Sequence, residues 1–255
     1  MLLAIDIGNS STKFGVFDRD KLISKLSIPT IKNAAADDLE NAVGSDLPQN
    51  ITAAIVSSVV PELEKPLADL LSSRFEIMPV FVDTSFEFGL AIRYKTIETL
   101  GIDRLITASA AAMKYGVPCI VCSFGTATTI DAVSSAREYL GGVIAPGMKT
   151  MAEALHLKAS KLPQVEITRP LSVIGNTTVT SIQSGIFYGY VGLVEGIISG
   201  MSAELGETPH IIATGGFAET IANECKLIQV TDENLLLEGL QLLNKKSGGK
   251  PAFPT

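Results

Sequence analysis

Three short stretches of this chain combine residue types that could do chemistry. Asp6-Ile7-Gly8-Asn9-Ser10-Ser11-Thr12 opens the sequence, and Ser123-Phe124-Gly125-Thr126-Ala127-Thr128-Thr129 returns 117 positions later. A glycine turn rich in hydroxyl side chains directs backbone N–H groups and hydroxyls at one point, which suits a phosphate. Two such turns facing each other could hold the phosphates of a nucleotide. Taken singly, each also fits an ordinary hairpin with a polar turn. The third stretch, Gly101-Ile102-Asp103-Arg104, sets a carboxylate beside a guanidinium. By itself that pair also fits an acid stabilising a helix N-terminus, with the arginine paired to a neighbouring acid.

The elements around these stretches repeat as well. Each turn follows a short apolar run, Leu2-Leu3-Ala4-Ile5 or Cys119-Ile120-Val121-Cys122, and leads into a second strand-like run. In the first half the patterning predicts strands over 2–6, 12–18, 21–28, 51–57 and 78–82. It predicts helices over 34–43, 61–73 and 102–115, with an irregular stretch over 83–99. The second half predicts strands near 119–123, 127–133 and 138–145, a loop-rich stretch over 158–176 and a long helix over 179–205. A strand over 210–213 and a helix from 216 follow. Three strands followed by alternating helices and strands, twice, imply an α/β protein of two related domains, 1–116 and 117–245. The Gly- and Pro-rich tail, 246–255, is expected to be disordered.

Composition narrows the function classes. With 46% hydrophobic and 18% charged residues the chain can bury a good core. A net charge of −7 with no basic patch argues against nucleic-acid binding and against an anionic membrane surface. No signal peptide is expected, since only four apolar residues precede Asp6. The longest apolar run, 186–201, is short for a membrane span and is interrupted by Glu195. Cys119 and Cys122 lie three apart on an expected strand and so face opposite ways, which disfavours a redox pair or a metal site. Small buried hydrophobes in a reducing cytoplasm fit better. His156 and His210 have no ligand-like spacing.

Five phrases in order resemble the type III pantothenate kinase family, a branch of the acetate kinase, sugar kinase, Hsp70 and actin superfamily. They are Asp6 to Lys13, Gly101 to Arg104, Gly125 to Asp131, Gly141 to Gly147, and Thr214-Gly215-Gly216. The resemblance implies two duplicated ribonuclease-H-like (actin-like ATPase) domains with a nucleotide cleft between them. It further implies ATP-dependent phosphorylation of pantothenate to 4′-phosphopantothenate, the first step of coenzyme A biosynthesis. Under it Asp6, Ile7, Gly8, Asn9, Ser10, Ser11, Thr12 and Lys13 contact ATP, with Asp6 also holding Mg²⁺. A single carboxylate suffices there, because Mg²⁺ keeps waters and takes phosphate oxygens. Thr126 belongs to the second phosphate turn, and Gly215 borders the adenosine.

The resemblance makes Asp103 the base that orients and deprotonates the substrate hydroxyl. Arg104 offers a planar fork of donors to the pantothenate carboxylate. Gly101, Ile102 and Tyr94 complete the substrate contacts, together with Thr178, for which Thr177 is one residue away. The family uses an aspartate where this chain has Ser123, to bind a monovalent cation, K⁺ or NH₄⁺. A neutral hydroxyl is a weaker ligand, so that cofactor is in question, and Asp131 is a speculative surrogate. The family's homodimer is expected, and Gly185, Gly189, Gly196 and Gly200 along the long helix suit either a core contact or that interface. The alternative to a kinase is a nucleotide-binding regulatory or accessory protein of the same fold. A dinucleotide-binding dehydrogenase fits poorly, because no Gly-x-Gly-x-x-Gly follows the first strand.

Overall fold

The structure, a computed structural model, describes residues 1–246. The chain divides into two compact units. The first comprises Met1–Met113 and the segment from Asn234 on, and the second comprises Lys114–Glu233. The expected disorder of 246–255 falls, apart from Lys246, outside the described residues.

The first unit contains β1 (Leu2–Ile7), β2 (Ser11–Asp18), β3 (Lys21–Pro29), α1 (Ala36–Val43), β4 (Ala53–Ser58), α2 (Glu64–Phe75) and β5 (Val80–Phe81). A two-residue strand, β6 (Ala91–Ile92), and α3 (Ile102–Lys114) follow, α3 running one residue past the boundary. Pro61 opens a short 3-10 turn that passes into α2. The strand order is β3-β2-β1-β4-β5, with β1–β2 and β2–β3 antiparallel and β1–β4 and β4–β5 parallel. Buried Leu3, Ile5, Phe14 and Val56 pack with Leu39, Leu67 and Leu71 of α1 and α2.

The second unit contains β7 (Cys119–Phe124), β8 (Ala127–Val133), β9 (Glu138–Pro146), α4 (Met148–Lys158), α5 (Thr178–Leu205), β10 (His210–Thr214), α6 (Ala218–Ala222) and β11 (Val230–Thr231). Its strands lie in the order β9-β8-β7-β10-β11, with the same sequence of antiparallel and parallel pairs. Even the register irregularity recurs, between Val16 and Phe17 in one unit and between Ala132 and Val133 in the other. The duplicated ribonuclease-H-like architecture expected from the sequence is therefore present strand for strand.

Helix α5 presents Ile186, Phe187, Tyr190, Val194 and Ile198 to the core of its unit. These fall at three- and four-residue steps, the spacing of one helical face. Among the described residues it is the helix long and apolar enough to cross a bilayer, by length and composition alone. All three cysteines are reduced and buried, and burial pushes the Cys119 thiol up to about 12.

The last helix, α7 (Leu235–Lys246), packs in the first unit, whereas the sequence reading grouped residues up to 245 with the second half. Gly239 makes this possible by lying against Ile106 and Ala110 of α3, where a Cβ would stand 2.8 Å from the Ile106 side chain. Leu237 reaches Gly15 on β2.

Candidate active site

In the first unit the site grows from the register of three strands. Asp6 on β1 pairs with Lys13 on β2 and with Ser57 on β4. Paired residues share a face of a sheet, so Lys13, Asp6 and Ser57 form a transverse row at the C-terminal end of β1. The Lys13 Nζ lies 3.9 Å from Asp6 Oδ2. Burial raises the Asp6 carboxyl to about 6, because its charged form loses hydration. Lys13 opposes that rise, the nearby Asp103 charge adds to it, and the Ser57 hydroxyl weakly opposes it. Asp103, in the first turn of α3, is therefore near enough for its charge to be felt at Asp6.

The turn after β1 is braced from below. Gly8 N–H donates to Ser11 O at 3.1 Å, and Thr30 N–H donates to Ser10 O at 3.1 Å. The Thr30 hydroxyl donates to Gly8 O at 2.7 Å and lies 3.0 Å from the Thr12 hydroxyl. Thr12 alternates with Lys13, so its buried side chain faces away from the row and supports the turn from the other side. Asn9 and Ser10 are exposed at the tip. The sequence reading missed Thr30. Nothing local marks it, because its contacts form only when β3 returns beside the turn.

The first turn of α3 carries the other half of the first-unit site. Arg104 N–H donates to Gly101 O at 3.1 Å, and the Thr107 hydroxyl donates to Asp103 O at 2.6 Å. Gly101 lies so close to Asp103 that a Cβ there would meet Asp103 Oδ1 at 2.6 Å. Arg104 is buried, with its guanidinium 5.8 Å from the centroid of the Tyr94 ring, a cation–π arrangement that aims its donors. Asp6, Lys13, Tyr94, Gly101, Ile102, Asp103 and Arg104 are thus gathered in one unit.

The second unit builds the corresponding turn. Ser123 pairs with Thr129 on β8 and with Thr214 on β10, which makes a row of three hydroxyls where the first unit has Lys13, Asp6 and Ser57. The turn is one residue shorter, closed by Gly125 N–H donating to Ala127 O at 3.1 Å. Gly147 N–H and the Thr150 hydroxyl both donate to Thr126 O, at 3.0 and 2.7 Å. Gly215 has φ +93° and presses on the Phe124 backbone, where a Cβ would stand 2.5 Å from Phe124 O. Only glycine suits that position. Asp131 pairs with Val121 and accepts a hydrogen bond from the buried Tyr139 hydroxyl at 2.7 Å. It shares the face of Ser123 from two pairs deeper in the sheet.

Thr178 begins α5 and lines a groove of about 680 Å³ with Gly175, Asn176, Thr177 and Ser181. The Thr177 hydroxyl caps the helix, accepting from Thr180 N–H at 3.1 Å, so of the two threonines Thr178 has the hydroxyl not taken up by the cap. His156 and His210 enter neither turn, and His156 Nδ1 lies 3.0 Å from Leu162 O. Among the described residues no group of three or more His, Cys, Asp or Glu side chains is placed to hold a metal ion. The donors at Asp6 instead suit a hard cation held by one carboxylate together with phosphate oxygens and water.

The family model described as type III pantothenate kinase matches residues 2–200. The chain is 43% identical to the type III pantothenate kinase of Geotalea daltonii over 97% of its own length and 99% of that protein. Among solved structures, one from Campylobacter jejuni, described under the Baf family of transcriptional activators, superposes with TM-score 0.63 at 20% identity. It matches 97% of this chain and 100% of that one. A ROK family glucokinase from Streptomyces griseus, solved with glucose and AMPPNP, gives 0.52 at 13% identity over 96% and 99% of the two chains. At these identities the two structures speak to the fold alone, which is that of the actin-like kinases. The chain belongs to the type III pantothenate kinase family.

Proposed function

We propose that this protein transfers the γ-phosphoryl group of ATP to the primary hydroxyl of pantothenate, giving 4′-phosphopantothenate and ADP. The observation that supports the reading is that the Asp103 charge acts on Asp6 in the Lys13–Asp6–Ser57 row, while the neighbouring Arg104 holds its guanidinium over Tyr94. Pantothenate offers a carboxylate for the Arg104 fork, with Tyr94, Gly101, Ile102 and Thr178 as further contacts. Asp103 orients the substrate hydroxyl and accepts its proton as that oxygen bonds to phosphorus. The bond from phosphorus to the bridging oxygen breaks and ADP leaves. Lys13 supplies positive charge near the transferred group.

Each turn is a phosphate-binding element of its own unit. Backbone N–H groups of Asn9 to Ser11 are the phosphate contacts of the first turn and that of Thr126 of the second, and Gly215 allows close approach beside the adenosine. Ile7 and Thr12 shape the first turn from beneath. Asp6 is the residue that would hold Mg²⁺, which when bound neutralises charge developing on the phosphate oxygens. Ser123 sits in a row of neutral hydroxyls, so activation by K⁺ or NH₄⁺ is weak or absent. An accessory protein that only bound nucleotide would leave Asp103 without a task, since binding ATP needs no proton acceptor.

The protein works as a homodimer in the cytoplasm. Ser181, Gly185, Gly189, Gly192, Gly196 and Gly200 run along the exposed face of α5, and open space surrounds each of those glycines. Such a face allows close approach of another helix. Sedimentation of the pure protein tests the dimer. A coupled assay of ADP release with pantothenate and Mg²⁺ tests the activity. ADP release with a sugar but not with pantothenate would move the chain to another kinase class.

A further inference from the structure

Ser57 is the one residue of the first-unit row that the sequence did not mark. It lies at the end of β4, pairs with Asp6, and is fully buried. It stands close enough to Asp6 to favour the charged carboxyl as a weak hydrogen-bond partner, yet among the described residues its hydroxyl meets no partner at full hydrogen-bond geometry. A buried hydroxyl without a partner costs free energy and usually marks a place where something else supplies the bond. A structural serine in a strand would find a carbonyl to donate to, or would be replaced by alanine. Ser57 is instead held at the carboxylate that would hold the divalent cation, with its polar atom unsatisfied.

We propose that Ser57 is a positioning residue of the divalent-cation site, its hydroxyl bonded by a water of the cation's shell when the metal–nucleotide complex is bound at Asp6. The inference rests on the reading of Asp6 as the metal position. Mg²⁺ sheds its waters reluctantly and is commonly anchored through them, so a hydroxyl next to a single carboxylate can fix the shell's orientation without ligating the metal. The second unit has Thr214 at the matching place beside Ser123, so a hydroxyl stands at this position in both halves of the duplication.

The test is Mn²⁺ binding to the full chain in the presence of ADP, followed by electron paramagnetic resonance, with wild type, Ser57→Ala and Ser57→Cys. Outer contacts of this kind are worth about tenfold in metal affinity. Both variants should therefore bind Mn²⁺ about tenfold more weakly, while metal-free ADP affinity stays at the wild-type value. The free Ser57→Ala protein should unfold at the same temperature as wild type or higher, because an unsatisfied buried hydroxyl has been removed. Mn²⁺ affinity within twofold of wild type in either variant would overturn the proposal. So would a fall of several degrees in the unfolding temperature of free Ser57→Ala, which would reveal a structural role. Wild-type turnover of pantothenate is measured alongside: its absence sinks the kinase reading, whereas its presence with unaltered metal binding in the variants sinks only the role of Ser57.

Discussion

The same turn is built twice, one residue shorter in the second copy, and the two copies differ most in charge. Each follows the first strand of a sheet with the same order and the same register irregularity. In each, a backbone N–H just after the third strand secures the tip, from Thr30 to Ser10 O in one unit and from Gly147 to Thr126 O in the other. Yet the row beneath the first tip is Lys13, Asp6 and Ser57, while the row beneath the second is Thr129, Ser123 and Thr214. The scaffold therefore fixes where phosphate-binding backbone lies, and the row decides what else happens there. Under the proposed function, the row of the first unit joins Asp103 and Arg104 to make a reacting site. In the second it supplies neutral hydroxyls, which bind without doing acid–base work.

The largest effect should follow from removing the base that only the first unit has. Asp103→Asn keeps size and polarity but cannot accept a proton, and general-base losses run to about 10²–10⁴ in kcat. Single-turnover kinetics should show that drop while ATP affinity stays near wild type; a near-normal rate would strip Asp103 of its role.

Asp6→Asn takes the carboxylate out of the first row, as Ser123 does in the second, and leaves the Lys13 charge in place. Activity at fixed Mg²⁺ should fall by about two orders of magnitude or more, in line with loss of charge stabilisation at the phosphoryl group. Stability should move the other way. The Asp6 carboxyl is raised from 3.8 to about 6 on folding, so the folded state holds its proton to higher pH than the unfolded chain. The free protein is then penalised as pH rises from about 4 to about 6, and the penalty is complete above that range. Without metal, Asp6→Asn should therefore be more stable than wild type at pH 7.5, by an amount on the order of 3 kcal/mol, and unfold at a higher temperature. The two proteins should converge below about pH 4. A pH-independent difference in melting temperature would contradict the assigned burial.

Ser123→Asp adds to the second row the charge that the first row has. Potassium activation should appear or grow several-fold, about 1 kcal/mol, as expected when a carboxylate replaces a hydroxyl beside a cation. Equal rates in K⁺ and in a large organic cation, for a variant that still turns over, would remove Ser123 from the cation argument.

The smallest effect is expected at the brace. Thr30→Val keeps the fold of β3 but removes the hydroxyl bonds to Gly8 O and Thr12. It should cost about 1 kcal/mol of stability and raise the KM for ATP several-fold with kcat nearly unchanged. A loss in kcat instead of KM would mean that the turn does more than hold phosphate.

Much of this was legible in the chain because the relevant signals are local. Apolar runs and glycine turns each lie within a few residues, so strands and turns could be read directly, whereas the role of Asp103 came from the family resemblance of Gly101 to Arg104. What escaped depends on distant return. Thr30 meets Gly8 only when β3 folds back, and Ser57 meets Asp6 only through the parallel pairing of β1 with β4. Helix α7 had a readable pattern in Leu237, Leu240 and Leu243, but its place in the first unit depends on Gly239 fitting against α3. The short strands β6 and β11, two residues each, are too brief for alternation to show. The exchange of Asp for Ser at 123 was visible at once, but its setting among Thr129 and Thr214 needed the register.

The most direct test of the whole account is phosphorus NMR of wild-type protein with ATP and Mg²⁺, with and without pantothenate, and of Asp103→Asn under the same conditions. The account predicts a new phosphomonoester signal growing in step with ADP, only when pantothenate is present and only in the wild type. ATP consumed equally without pantothenate, or the same signal formed at a near-normal rate by Asp103→Asn, would contradict it.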